Sequence, residues 1–313
     1  MSANSDSTGP VLRIGTRGSA LALAQARWTQ QQLEHHSPGL RTELVIITTS
    51  GDRFVDRPLS AIGGKGLFVK EIEEAMLDRR IDCAVHSMKD LPGELAPGLI
   101  VAAVPPREDP RDLAITRGPA LAALPKGARL GTSSLRRMAL MRALHPQFDI
   151  VPLRGNVDTR LRKLDSGDLD AIVLAAAGLR RLGITRNAAQ PLDPLEFVPA
   201  IGQGALAIEA RRDDVPPAVA AMNDAPTRIT TDAERAFLLR VGGSCHTPLA
   251  AHGTLSGTQL HLRAVIASPD GSRVVRGERG AEGKDAAALG AALADELLGR
   301  GGDAILRALQ AAT

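Results

Sequence analysis

"AVPPREDPRD", residues 103–112, interrupts the pattern on which the fold turns. On either side of it, short apolar runs alternate with helix-like segments, the signature of an α/β chain. A proline-rich, charged break continues neither helix nor strand. It reads as the chain crossing from one α/β domain to another. "DPLEFVPAIGQG" (193–204) reads as the return crossing. Two crossings imply a hinged pair of α/β domains with a cleft between them.

Around these breaks the strand candidates are "VLRIGT" (11–16), "TELVIIT" (42–48), "DCAVHS" (82–87) and "LIVAAVP" (99–105). They continue with "DLAIT" (112–116), "ARLGTS" (128–133), "FDIVPL" (148–153), "DAIVLAAAG" (170–178) and "ALAIEA" (205–210). "GLFVKEIEEAMLDRR" puts Phe68, Ile72 and Met76 on one helical face. After about residue 225 the pattern changes to a helix-like "TDAERAFLLRV", the turn-like "GGSCHTPLAA", two strand-like runs around "SPDG" and the Ala/Leu-rich "DAAALGAALADELL". That order predicts a smaller α+β C-terminal domain. The expected boundaries are 11–104 with 200–222 for the first domain, 105–199 for the second and 223–313 for the third.

The bulk numbers are those of a globular chain. Of 313 residues, 44% are hydrophobic and 23% charged, and 38 basic against 35 acidic side chains leave a net charge of +3. Nothing there argues for nucleic acid or a membrane surface. With aromatics at 2% and no tyrosine, stacking platforms for single strands are not expected. Cys83 and Cys245 form no disulfide framework and no CxxC or Cys/His metal motif. The start, "MSANSDSTGP", lacks the pattern of a secretory signal, and no apolar run is long enough for a bilayer. A soluble protein of a reducing compartment is expected.

The basic residues are concentrated at strand–loop–helix junctions. Arg17 follows the first strand just where a helix should begin at Ser19. "GTSSLRRMAL" places Thr132, Ser133 and Ser134 before a helix with Arg136 and Arg137 in its first turn. "LRGNVDTRL" sets Arg154 at a strand end and Arg160 after Asn156, a residue suited to an N-cap. Caps and surface arginines are common singly. Three junctions that all put cations against the positive end of a helix dipole are not. Free backbone N–H groups, small polar caps and guanidinium forks together suit a polycarboxylate or phosphate, so an anion-binding cleft is expected.

Four further places invite chemistry. "DCAVHSMKDLPGEL" (82–95) ends a strand in His86, Ser87, Lys89 and Asp90. Asp90, an acid among cations, could stabilise a cationic intermediate or shuttle a proton; His86 could do either from its place near the strand end, but reads first as a hydrogen-bonded structural residue. "SAIGGKGLFVKEIEE" holds Lys65 in a glycine-rich loop without Walker A spacing; it reads as a lid carrying a cation or as a solvated loop. "GGSCHTPLA" puts Cys245 in a turn that suits covalent attachment, although free cysteines are usually buried. His246 beside it does not make a Cys–His pair, because adjacent side chains in an extended segment point apart. Cys83 reads as core.

Taken together, "RIGTRGSALALAQA", "GGKGLFVKEIE", "AVHSMKDLP", "REDPRD", "GTSSLRR", "LRGNVDTRL", "AIGQGALAIE", "GGSCHTPLA" and "SPDGSRVVRGERG" resemble the porphobilinogen deaminases, also called hydroxymethylbilane synthases, in motif and in order. The resemblance runs from about Val11 to Leu309. It implies two hinged, periplasmic-binding-protein-like α/β domains plus the α+β C-terminal domain. It implies a transferase of tetrapyrrole biosynthesis that links four porphobilinogen molecules head to tail, releasing ammonia each time. The implied cofactor is a dipyrromethane bound through a thioether to Cys245, and the implied catalytic residue is Asp90. Arg17, Arg136, Arg137, Arg154 and Arg160 would bind carboxylates, with Ser19, Ser87, Lys89, Thr132, Ser134 and Gln203 as further polar contacts and Lys65 on the lid. No metal, nucleic acid or membrane is implied; a cytoplasmic monomer is. Ser244 stands before the cysteine where many members have glycine, and His246 follows it, both compatible with cofactor attachment; the scarcity of aromatics leaves Phe68 as a candidate apolar contact in the lid region. The rival reading from the residues alone is a cleft-type anion-binding protein without catalysis.

Overall fold

The computed structural model describes residues 11–53, 69–242 and 247–311. Among the described residues there are three sheets. The first is five-stranded, built from β1 (Val11–Thr16), β2 (Arg41–Ile46), β3 (Cys83–Ser87), β4 (Leu99–Ala103) and β10 (Leu206–Arg211), in the order β2-β1-β3-β10-β4. The second, also five-stranded, contains β5 (Asp112–Thr116), β6 (Arg129–Gly131), β7 (Asp149–Val151), β8 (Ala171–Ala175) and β9 (Ala189–Pro191), in the order β7-β6-β8-β5-β9. The third is an antiparallel meander of β11 (Leu249–Ser256), β12 (Gln259–Ala267) and β13 (Val274–Glu282). Two mixed α/β sheets and a small α+β unit are the fold class expected.

Both mixed sheets share one logic. The strands delivered by ordinary α/β connections are parallel: β1 with β2 and β3, and β6 with β7 and β8. The reversed strand in each is the one that comes off a crossing. β5 follows the first crossing and lies antiparallel between β8 and β9. β10 follows the second and lies antiparallel between β3 and β4. The edge strand β9 was not expected, because three residues ending in Pro191 carry no alternation.

The helices follow their local signals. Ser19, Ser134 and Asn156 cap α1 (Ala20–His36), α3 (Leu135–Leu144) and α4 (Val157–Asp165), each side chain accepting from a first-turn N–H. The helix α2 (Lys70–Leu77) buries Ile72 and Met76 as its spacing predicts; Phe68, the third member of that face, lies outside the described residues. A short α5 (Ala176–Arg181) follows β8. The helix α6 (Ala225–Val241) starts six residues before the expected "TDAERAFLLRV", because Asp224 caps it and Pro226 sits in its first turn. It ends at Gly242 in a left-handed conformation (φ 67°). With α7 (Ala286–Leu297) it covers the third sheet, Phe237, Leu293 and Leu297 packing on Leu260 and Leu262.

The three units are fastened at the crossings. Glu234 of α6, wholly buried, accepts from Arg107 Nη1 at 2.6 Å and Nη2 at 3.1 Å, from Gly202 N at 2.6 Å and from Gly253 N at 2.8 Å. One carboxylate thus holds the first crossing, the second crossing and β11. The Arg107 guanidinium keeps its carboxyl ionised down to about 2, against the burial that would raise it. The third unit also shares a core with the second: Ala250 and Val265 pack with Leu140, Met141 and Phe148.

Gly204 shows how closely the two crossings approach. Its φ is +88°, and a β-carbon there would lie 2.2 Å from the carbonyl oxygen of Glu108. Gly204→Ala is therefore expected to destabilise the chain by about 2 kcal/mol or more, through backbone displacement at the crossings. Denaturant unfolding would measure it, and a midpoint equal to the parent's would refute the close packing.

Candidate active site

The parallel strands β1 and β3 end side by side, and carboxyl ends of strands are where α/β sheets bind ligands. Arg17, Ser19, Gln25, His86, Ser87 and Asp90 line one hollow there. Beyond Ser87 the chain makes a single 3₁₀ turn, Met88–Asp90. Met88 is buried and packs under Gly202, where a β-carbon would lie 2.6 Å from Met88 Cγ. With Met88 anchored inward, Asp90 stands exposed at the lip. Ser87 Oγ accepts from Gln25 Nε2 at 2.7 Å. Gln25 was missed in the sequence; its signal is a polar residue on the buried face of α1, beside Ala26, Thr29 and Leu33.

A second group of charges lies behind Lys89. Lys89 Nζ reaches Gln203 Oε1 at 3.5 Å, and Gln203 Nε2 donates to the carbonyl of Pro110 at 2.7 Å, so the lysine is tied to both crossings. Arg136 and Arg137, each only 5% exposed, share the buried carboxylate of Asp112, both ion pairs measuring 2.8 Å. Arg136 Nη1 also donates to the carbonyl of Val198 at 2.8 Å, and Arg137 Nη1 to that of Val173 at 2.9 Å. These arginines are therefore held inside the wall, with partners of their own. The pairing also explains how first-turn arginines survive at the positive end of a helix.

The local potential is strongly positive. Burial, and then Arg137, push the Lys89 amine down to about 8. The same two causes push Arg160 down to about 10. Asp112 titrates near 2 despite its burial, because Arg136 and Arg137 hold it ionised. Cations that resist protonation mark a place where an added anion is welcome.

The remaining predicted residues fall as follows. Arg17 is half-buried at the hollow, and Arg154 is exposed just before α4. Arg160 Nε donates to the carbonyl of Gly155 at 2.8 Å. Thr132 is buried and accepts from Ser134 N at 3.3 Å. Lys65 and Cys245 lie outside the described residues. Cys83 is core, as read, and burial raises its thiol to about 12.

A family model described as porphobilinogen deaminase, dipyromethane cofactor binding domain, matches residues 12–232, and one described as porphobilinogen deaminase, C-terminal domain, matches residues 229–299. The chain belongs to the porphobilinogen deaminase family. It is 53% identical to a porphobilinogen deaminase of Syntrophotalea carbinolica over 95% of this chain and 96% of that one. It is equally identical, at 53%, to those of a Roseiflexus species (94% and 98% covered) and of Sorangium cellulosum (91% and 98% covered). Its activity is that of a porphobilinogen deaminase, or hydroxymethylbilane synthase, a transferase of tetrapyrrole biosynthesis that uses a dipyrromethane cofactor and porphobilinogen as substrate.

The residues fit that cofactor. A dipyrromethane built from two porphobilinogen units carries an acetate and a propionate on each ring, four carboxylates in all. The wall of a porphobilinogen deaminase must therefore be short of negative charge before the cofactor arrives, and this one is: Lys89, Arg136, Arg137 and Arg160 stand against Asp112 and Asp90.

Proposed function

We propose that Asp90 is the catalytic carboxylate of this porphobilinogen deaminase. The supporting observation is an exposed acid at the lip of a hollow lined by Arg17, Ser19 and Ser87, in front of a wall of surplus positive charge. Arg17, Lys89, Arg154 and Arg160, with Ser19, Ser87, Thr132, Ser134 and Gln203, would hold acetate and propionate groups, and Arg136 and Arg137 would set the potential from behind. Lys65 would close over them on its lid. Bound through a thioether at Cys245, the dipyrromethane supplies the pyrrole α-carbon on which the chain is extended.

Loss of ammonia from porphobilinogen leaves a methylene-pyrrolenine cation on the substrate. Asp90 can stabilise that cation and accept its pyrrole N–H, while the positive wall keeps the carboxylates from competing for it. The same carboxylate serves successive condensations if the chain moves past it. The domain boundaries given above belong to this reading, supported by the membership of β10 in the first sheet and β5 in the second. So does a cytoplasmic monomer without nucleic-acid or membrane partners; a net charge of +3 supports the first exclusion. No helix among the described residues is long and apolar enough to cross a membrane.

The test is the intact mass of the purified protein beside a Cys245→Ser variant. The expected result is an excess of two porphobilinogen units less their ammonia in the parent alone. If the parent is unmodified, incubation with porphobilinogen should install the adduct. Failure to gain it would overturn Cys245 as the attachment point.

A further inference from the structure

The wall behind Lys89 contains a carboxylate that no step above uses. Asp112, wholly buried, closes the first crossing and opens β5, where it pairs with Ala175 at the carboxyl end of β8. Its Oδ2 lies 2.8 Å from Arg136 Nη1. Its Oδ1 lies 2.8 Å from Arg137 Nη2 and accepts from Arg137 Nε at 2.9 Å. Because Nη1 donates to the Val173 carbonyl, every side-chain nitrogen of Arg137 is engaged. Both crossings meet at this cluster, the first through Asp112 and the second through the Val198 carbonyl that Arg136 holds. Lys89 feels it from the first unit: after burial, Arg137 is the main cause that lowers its amine to about 8, and Asp90 and Asp112 oppose that shift. Arg160 is lowered by burial and then by Arg137.

The reaction asks two opposed things of this wall. It must hold a chain whose negative charge grows, since each added unit brings an acetate and a propionate. It must also let that chain shift past Asp90 and leave when finished. A guanidinium without a partner would offer its whole fork to a ligand carboxylate, and a charge-assisted bond of that kind is worth a factor of about ten or more in affinity. It would also be costly to leave empty, because a buried cation stripped of its counter-ion destabilises its surroundings. Asp112 removes both difficulties. Its carboxylate occupies the Nε–Nη2 edge of Arg137 and one prong of Arg136. The arginines then contribute potential without a full grip, and they stay neutralised whenever a carboxylate of the chain moves away.

We propose that Asp112 is a positioning residue that fixes Arg136 and Arg137 as a partly neutralised pair, so that the wall's grip on the carboxylates of the growing chain stays releasable. The assignment rests on the reading of this wall as the seat of the acetate and propionate groups. Lys89, Arg136 and Arg137 against Asp112 still leave a surplus of positive charge to attract the cofactor. Without Asp112 that surplus grows by one unit charge and Arg137 becomes an open fork. The chain would then be held more tightly the longer it becomes.

The test takes cofactor-loaded protein, parent and Asp112→Asn, gives it porphobilinogen, quenches it in acid and weighs it intact. The ladder of masses above the cofactor state reports how many units remain on the protein. Asp112→Asn is expected to shift the ladder to its longest members and to lower kcat about tenfold with KM unchanged or lower. Added sodium chloride should restore much of that loss by screening. A parent-like ladder in Asp112→Asn, a raised KM or a missing cofactor mass would overturn the proposal. A merely structural carboxylate would lower the active fraction without redistributing the masses. One measurement needs no variant to fold. In the parent, the Arg137 Nε–H that donates to Asp112 should stay slow to exchange with solvent from the cofactor-only state to the loaded one. Fast exchange on loading would mean that the chain takes the arginine from Asp112, and would sink the idea. The reading beneath it fails differently: a parent without any ladder, or a ladder that survives Cys245→Ser, removes the attachment site itself and the proposal with it.

Discussion

Asp90→Asn is expected to leave the fold and the cofactor in place and to lower turnover by roughly 10²–10³-fold, the cost of removing one group aimed at transition-state charge. The substitution is nearly isosteric and its site is exposed, so no core contact is lost. What changes is sign. A carboxylate offsets the methylene-pyrrolenine cation, and an amide does not. Because the wall behind it is positive, with Lys89 already held down to about 8, the loss of Asp90 would leave the cation facing repulsion alone. Single-turnover kinetics on cofactor-loaded protein would separate this from defective assembly. Turnover within a few-fold of the parent would remove Asp90 from the mechanism, while a loss of cofactor mass would mean that Asp90 acts earlier, in building the primer.

The largest expected effect on stability belongs to Glu234→Ala. It would strand the Arg107 guanidinium and the N–H groups of Gly202 and Gly253 inside the junction of the three units. Breaking a buried pair from one side costs about 3–5 kcal/mol, and for a chain of this size that is a fall in Tm of about 5 °C or more. The exposed pair Arg307–Asp303 should be worth well under about 1 kcal/mol. A calorimetric Tm for Glu234→Ala within a degree of the parent would refute the role of this carboxylate as the common fastening. The pH dependence has a definite sign. Glu234 and Asp112 both titrate near 2 in the folded chain, below the ordinary carboxylate range of the unfolded one. Their contribution to stability is complete above about pH 5 and is lost as pH falls toward 2.

Much of the site was readable because its signals are local. Ser19, Ser134 and Asn156 cap helices through hydrogen bonds that span three residues, so their type and position sufficed. The strand that ends in Ser87 was readable from its apolar run, and the two crossings from their prolines. The ordered set of motifs marks the family in the sequence alone. Cys83 as core followed from the run it interrupts.

Other features depended on partners far away in the chain. Nothing near Arg136 and Arg137 announces Asp112, some 25 residues upstream, so two arginines that read as open ligand forks are already engaged. Glu234 looked like one more helical acid until the fold carried Arg107, Gly202 and Gly253 to it. His86 was read as a structural residue, and its imidazole stands 3.0 Å from Glu209 Oε2 only because the second crossing returns β10 beside β3. The sequence alone therefore determined which residue types stand at which junctions, since caps, turns and strand periods are short-range constraints. Which buried charges neutralise one another was decided by the tertiary structure, because in a low-dielectric interior a charge must find its partner wherever the chain topology has brought one.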